Sequence, residues 1–72
     1  MKDCELIIDN SKMYDIEFNY GNRPLEFRAR GWKVLQTVQW FEDIITELKL
    51  DNWSIKVDGY AVYSAQDKLY RY

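Results

Sequence analysis

The sequence contains no histidine, one cysteine, one proline and three glycines, and its apolar residues never form a long run. Histidine is the commonest general base and a common zinc ligand, and one thiol cannot complete a thiolate metal cluster or a redox pair. These absences exclude Ser-His and Cys-His catalysis and structural zinc. Carboxylate chemistry is the one catalytic class that the composition allows, and we expect no catalytic residue, no cofactor and no metal ion.

The sequence also lacks the signals of export and of membrane insertion. A transmembrane helix needs about 20 consecutive apolar residues, and no such stretch is present. The first residues, Met1–Glu5, have no basic region, apolar run or cleavage site of a secretory signal. Small secreted domains usually depend on disulfides, which a single cysteine cannot form within one chain. We therefore expect a cytoplasmic protein that does not associate with membranes.

What the sequence does contain is apolar and aromatic surface. It has 72 residues, of which 47% are hydrophobic and 17% aromatic, and its formal net charge is −2. This composition predicts one folded domain over residues 1–72, because a disordered chain would have too little apolar surface to offset its ordering entropy. Three Trp, six Tyr and three Phe are more aromatic side chains than a small core easily encloses.

Alternating apolar and polar residues predict a hairpin of two strands, 13–20 and 25–30, joined by a four-residue loop at 21–24. The expected cross-strand pairs are Tyr20 with Leu25, Phe18 with Phe27, Glu17 with Arg28, and Asp15 with Arg30. In this register aromatic pairs meet on one face of the hairpin and opposite charges meet on the other. Such pairs stabilise a sheet by about 0.2–1 kcal/mol each.

An earlier strand is predicted over Cys4–Asp9, joined to the hairpin by a three-residue loop. This arrangement places Leu6 opposite Ile16. Cys4 is then expected to be a small buried apolar side chain, because a reactive thiol needs nearby cations or a helix N-terminus and neither is evident.

After Gly31 the periodicity changes to that of a helix, which is predicted over about 32–50. Asp51 and Asn52 are expected to end it, because Asn tolerates the left-handed conformation that follows a helix. Its apolar stripe, which we expect to pack on the chain's own sheet, consists of Val34, Val38, Phe41, Ile45 and Leu48.

Two further strands are predicted at 53–57 and 60–64, joined by the turn signal Asp58-Gly59. The alternation over 68–72 predicts an optional last strand, although the turn before it lacks glycine. The predicted fold class is therefore α+β. It is a single antiparallel sheet of five strands, or six with the last one, in the order β-β-β-α-β-β(-β), with the helix packed on one face. The pattern leaves the strand order within the sheet open.

Two groups of charged residues are expected on the sheet face away from the helix. Glu5, Asp15 and Glu17 form an acidic group, but hydrolytic carboxylates need a concave pocket, so a solvated surface paired with arginines is the favoured interpretation. The second group is an alternative ligand face that would bind a nucleotide or a nucleic acid through basic and aromatic side chains. Its residues are Arg28, Arg30, Lys56 and Tyr63.

Five aromatic side chains have no place on the sheet face that the helix covers. Trp40 is expected to be half exposed beside Ile44, one helical turn away. Two interpretations of Trp40 stay open: it folds over a sheet edge to complete the core, or it anchors a partner, since Trp and Tyr are enriched at interface hot spots. The candidate partner-binding residues are Trp40, Ile44, Trp32, Tyr63, Tyr70 and Tyr72.

In its size, its acidity and its lack of catalytic groups, the chain resembles the compact one-domain inhibitors that phages and mobile elements encode against host enzymes or defence systems. We expect a small non-enzymatic protein-binding module, an inhibitor or adaptor of a larger protein, with a homodimer as one form it could take. Nucleotide or nucleic-acid binding is the alternative. The sequence does not identify the partner.

Overall fold

The computed structural model describes residues 4–72, and within them the chain forms one helix and six strands. The elements are β1 (Cys4–Glu5), β2 (Met13–Tyr20), β3 (Arg23–Arg30), α1 (Gly31–Leu48), β4 (Trp53–Val57), β5 (Tyr60–Ala65) and β6 (Lys68–Arg71). The strands form a single antiparallel sheet in the order β1-β6-β5-β4-β2-β3. This confirms the predicted fold class and the optional sixth strand. No helix in the described part of the chain is long and apolar enough to cross a membrane.

The core lies between α1 and one face of the sheet, which we call the helix side. Phe18 is fully buried at its centre and stacks on Phe41 of the helix, with ring centroids 4.1 Å apart. The helix contributes the predicted stripe except for Leu48, which is exposed. The other buried apolar residues are Tyr14, Ile16, Ile55, Val57, Val62 and Leu69.

One helix covers less than the full width of six strands. Trp53 and Tyr60 have the helix-side alternation that the sequence predicts, yet both side chains remain substantially exposed. Arg71, which pairs with Val62, lies over the Tyr60 ring at 4.8 Å. A helix-side position is therefore not enough to bury an aromatic ring at the margins of this sheet.

The predicted register of the β2–β3 hairpin is wrong by two residues. Gly21 and Asn22 form a two-residue turn, so Tyr20 pairs with Arg23 and not with Leu25. Gly21 has a φ of +57°, the positive value that a type II′ turn requires at its first central position. The corrected pairs are Phe18 with Leu25, Ile16 with Phe27, Glu17 with Glu26, Asp15 with Arg28, and Met13 with Arg30. A shift of two residues leaves every side chain on its predicted face.

The predicted position of the first strand is also wrong. β1 has two residues and pairs with β6 at the far edge of the sheet, with Cys4 opposite Arg71 and Glu5 opposite Tyr70. The chain after it does not pair with β2, and Leu6 donates its N–H to the Leu69 carbonyl at 2.8 Å. At this edge Cys4 is exposed and not buried as predicted.

Both ends of α1 are defined by backbone contacts. At its start Gly31 donates its N–H to the Lys12 carbonyl at 2.8 Å, so the loop before β2 covers the helix N-terminus. At its end Lys49 takes the left-handed conformation with a φ of 54°. The helix therefore ends earlier than Asp51-Asn52, where the sequence predicts its end.

The two remaining hairpins form as expected. Val57 pairs with Tyr60 across the Asp58-Gly59 turn, which confirms that register. The β5–β6 turn uses Gln66 and Asp67, with φ values of 54° and 60°. These are the positive angles of a type I′ turn, adopted here without glycine.

Candidate protein interface

Trp40 lies on the flank of α1 that faces β3, and its side chain is 52% exposed. Its ring meets Phe27 edge-on with centroids 6.4 Å apart, and it lies 6.4 Å from Phe18. Phe18 is fully buried, so Trp40 is held directly against the core. The two interpretations of Trp40 are thus compatible, because one part of the ring completes the core while the rest faces solvent.

Other apolar side chains on the same flank are also partly exposed. Leu25 and Phe27 are 40% and 39% exposed on the helix side of β3. Ile44, one helical turn beyond Trp40, is half-buried. We call Leu25, Phe27, Trp40 and Ile44 the Trp40 surface. Contiguous exposed apolar surface of this kind marks interaction sites more often than scattered single residues do.

The backbone of β3 adds hydrogen-bonding groups along this surface. Two backbone hydrogen bonds show which residues of β2 turn their N–H and C=O groups toward β4. Gly21 donates its N–H to the Asn52 carbonyl at 3.0 Å, and the Asp58 N–H donates to the Asp15 carbonyl at 2.8 Å. Odd-numbered residues of β2 therefore point their backbone groups toward β4, and even-numbered ones toward β3. With the observed β2–β3 register, the odd-numbered residues of β3 bond to β2.

The even-numbered residues of β3 consequently point their backbone groups away from the sheet. Within residues 4–72, β3 has a neighbouring strand on one side only. Glu26 and Arg28 offer both N–H and C=O groups at that open edge, whereas Pro24 offers a carbonyl alone. Arg30, the N-cap of α1, offers only its N–H, because its carbonyl accepts the first hydrogen bond of the helix. The Trp40 surface is thus bordered by an unpaired strand edge eight residues long.

Trp32 is as exposed as Trp40, at 55%, but lies on the other side of the helix. Its ring is contacted by Lys33, whose Nζ is 5.5 Å from the ring centroid. It lines a shallow cleft together with Ile8 and Leu35, toward the β1 edge of the sheet. The structure therefore does not join Trp32 to the Trp40 surface.

The three candidate tyrosines lie together on the sheet face away from the helix. Tyr63 stacks with Tyr70 at a centroid distance of 5.6 Å and is 4.9 Å from Tyr72. Tyr63 and Tyr70 lie opposite each other, and each follows a buried residue, Val62 or Leu69, in its strand. Because Val62 and Leu69 lie on the helix side, the tyrosines lie on the other face. The six candidate partner-binding residues thus belong to three separate regions.

The alternative basic face is not continuous. Arg28 is paired with Asp15, its Nε 3.0 Å from Oδ1, and Arg30 donates from Nη1 to the Ser11 carbonyl at 3.0 Å. Lys56 lies opposite Glu17, two strands away from Arg28. Carboxylates thus separate the cations, and ligand binding at this face stays a prediction.

The predicted acidic group is divided between β1, at one edge of the sheet, and β2, the strand next to the other edge. Glu5 lies on β1, whereas Asp15 and Glu17 lie on β2, with three strands between them in the sheet order. In residues 4–72 no group of three His, Cys, Asp or Glu side chains could hold a metal ion.

Sequence reasoning did not identify Leu25 and Phe27 as part of the candidate site. Their alternation predicts helix-side positions, which is correct, but exposure depends on whether another strand lies beyond β3. The weak signal available was Pro24, since proline within sheets is confined to edge strands, strand starts and bulges.

No protein-family model, curated protein or solved structure matches this chain. Its class is therefore defined by the architecture itself. It is a single-sheet α+β domain with one long open edge and an apolar surface beside that edge.

Proposed function

We propose that this chain is a small non-enzymatic protein-binding module, an inhibitor or an adaptor, that uses the Trp40 surface to bind a protein partner, which is either a different protein or a second copy of itself. The observation that carries the proposal is the half-exposed ring of Trp40, held against Phe18 and Phe27 beside an open strand edge. This ring combines a large exposed apolar area with firm support from the core.

The support matters because binding is weakened when side chains must be ordered at the interface. Contacts with Phe18 and Phe27 already restrict the Trp40 ring. Leu25 and Phe27 extend the apolar area onto β3. The adjacent backbone of Glu26 and Arg28 can receive an extended segment of a partner as an added strand, a common mode of recognition.

A comparison of the binding affinities of Trp40→Ala and Trp32→Ala tests the proposal. The two tryptophans are almost equally exposed, but only Trp40 lies on the proposed surface. Proteins bound by the immobilised chain, including a tagged second copy of it, are purified and their dissociation constants measured with each variant. Trp40→Ala should weaken binding about 30-fold, the effect of losing an interface hot spot. Trp32→Ala should leave binding within about twofold, since surface positions away from an interface have small effects.

Tyr70→Ala provides a second control on the opposite face of the sheet. If Trp40→Ala binds every purified partner as tightly as the unaltered chain does, the proposal is wrong. If Tyr70→Ala alone abolishes binding, the tyrosine cluster is the interface and the Trp40 surface is not.

A further inference from the structure

We propose that the partner of the Trp40 surface is a second copy of this chain, whose β3 pairs antiparallel with β3 of the first copy. The inference rests on the proposed function and names its partner. The pairing would join the two sheets edge to edge and place both helices on the same face.

The backbone pattern restricts the register. Only the even-numbered residues of β3 point their N–H and C=O groups to the open edge. An antiparallel pairing of two copies must therefore place even-numbered residues opposite even-numbered residues. β3 spans eight residues, so two of these registers are equally central. One places Phe27 opposite Phe27 of the second copy, with the two-fold axis between them, and the other places Glu26 opposite Glu26.

The charges distinguish between these two registers and favour the one with Phe27 on the axis. With Phe27 on the axis, Glu26 of each copy lies opposite Arg28 of the other, which gives two attractive pairs by symmetry. A shift of two residues in one direction places Glu26 opposite Glu26, and a shift in the other places Arg28 opposite Arg28. Both neighbouring registers therefore contain a repulsive pair on the axis.

Glu26 lacks a favourable cross-strand neighbour within its own sheet. It lies opposite Glu17 on β2, and like charges directly opposite each other destabilise a sheet. Arg28 of a second copy would bring a cation next to this carboxylate. Arg28 is 72% exposed while it pairs with Asp15, so its guanidinium remains accessible for a second carboxylate.

The helix side is also complementary in this register. Phe27 meets Phe27 at a position without backbone hydrogen bonds, where antiparallel strands come closest. Leu25 lies opposite Ala29, a large residue against a small one. Trp40 already contacts Phe27, so the two Trp40 rings would flank the new apolar contact.

Pro24 limits the length of the pairing. It lies opposite Arg30 in the proposed register and has no N–H to donate, so that pair can form one backbone bond at most, and pairs with two bonds are confined to the Glu26 and Arg28 positions. The interface is therefore short, and the dimer is expected to dissociate on dilution.

Two charge-reversal variants, Glu26→Arg and Arg28→Glu, test the proposal. Each variant alone and a mixture of the two are measured by sedimentation velocity over a range of concentrations at low salt. Each variant alone faces its own copy with like charges. Its dimer dissociation constant should rise about 30-fold, because two pairs change from attraction to repulsion. The two variants mixed should form a heterodimer about as tight as the original, since both cross-strand pairs then join an arginine of one copy to a glutamate of the other.

Circular dichroism of each variant establishes that it is folded. The double variant E26R/R28E restores attraction between identical copies, so its dimerisation tests the proposal even if a single variant does not fold. A chain that stays monomeric at every concentration overturns this inference, as does a dimer that neither variant weakens. Trp40-dependent binding of a different protein by a monomeric chain would overturn this inference while leaving the proposed function intact. A dimer that responds to the charge variants but not to Trp40→Ala would support the β3 pairing and contradict the assigned role of Trp40.

Discussion

The two edges of the sheet carry very different strands. At one edge β1 has two residues, and the chain leaves the sheet after the bond from Leu6 to Leu69. At the other edge β3 has eight residues, and within residues 4–72 Glu26 and Arg28 offer unpaired N–H and C=O groups there. One edge is thus too short to template another strand, while the other has the length and the flanking apolar surface to do so.

This difference shows how a small chain protects one edge and leaves the other available. Very short edge strands and proline are common means of preventing unwanted pairing. The β1 edge is protected by its shortness, because the strand has only two residues. The β3 edge contains a proline, Pro24, but it lies near one end of the strand, so the centre of the strand remains open for a specific contact.

Gly31→Ala, which changes the helix start next to the Asp9 loop, should have the largest effect on stability. A Cβ at Gly31 would lie 1.9 Å from the Asp9 carbonyl oxygen and 2.8 Å from the Ile8 side chain. Backbone must move to relieve such a clash, so we expect the free energy of unfolding to fall by at least about 3 kcal/mol. Denaturant unfolding followed by circular dichroism measures this.

Gly59→Ala is the matched control, because a Cβ there would meet nothing within 4 Å. Only the positive φ of 87° opposes that change, at a cost of about 1–2 kcal/mol. Equal losses at Gly31 and Gly59 would contradict the close contact between the helix start and the Asp9 loop.

Trp40→Ala, on the β3 side of the helix, should have the next largest effect on stability. Its ring contacts Phe18 and Phe27, so we expect a loss of about 1–2 kcal/mol, less than for a fully buried aromatic residue. Trp32→Ala, with nearly the same exposure, should cost less than about 0.5 kcal/mol. Thermal unfolding of both variants measures the contrast, and equal losses would show that Trp40 is not held by the core.

The ion pair between Asp15 and Arg28 should contribute little to the stability of β3. The side chains are 73% and 72% exposed, and exposed pairs are typically worth about 0.2–1 kcal/mol. A double-mutant cycle with Asp15→Asn and Arg28→Gln should therefore give a coupling energy below about 1 kcal/mol, which decreases further with added salt. A larger coupling would mean that Arg28 is committed to Asp15 and is not available to a second copy.

The smallest expected effect is the acid dependence of the Asp9 turn, near the β1 edge. Hydrogen bonds from the backbone N–H and the hydroxyl of Ser11, with help from Lys12, lower the pKa of the Asp9 carboxyl. A carboxyl whose pKa is lower in the folded chain adds stability above its unfolded pKa and loses it as the pH falls. Between the unaltered chain and Asp9→Asn, the difference in melting temperature should therefore be present above about pH 4 and shrink in more acidic solution. A difference that grows in acid would contradict this assignment.

The sequence predicts the local features of this fold well and its long-range pairings less well. Alternation places Phe18, Ile55 and Val62 on the helix side correctly, because the period of a strand survives a register error of two residues. The predicted loop at 21–24 is too long. Charge pairing across the hairpin favours a loop of four residues, whereas Gly21 allows a turn of only two. The pairing of β1 with β6 joins opposite ends of the chain, and no local pattern encodes such a contact.

The candidate site divides in the same way. The helical spacing predicts correctly that Trp40 is half exposed beside Ile44. It does not predict that Leu25 and Phe27 border an open edge, because that follows from the strand order. The exposed position of Trp32 is predicted as well, but its separation from Trp40 depends on how the helix lies across the sheet.

Amide hydrogen exchange in β3, measured by NMR at several protein concentrations, tests whether the open edge of this strand pairs with a second copy of the chain. We predict that the N–H groups of Leu25 and Phe27, which bond to β2, are protected at every concentration. Those of Glu26 and Arg28 should exchange rapidly in dilute protein and become protected as the concentration rises. Rapid exchange of Glu26 and Arg28 at the highest concentration, or equal protection of all four groups in dilute protein, would contradict the account.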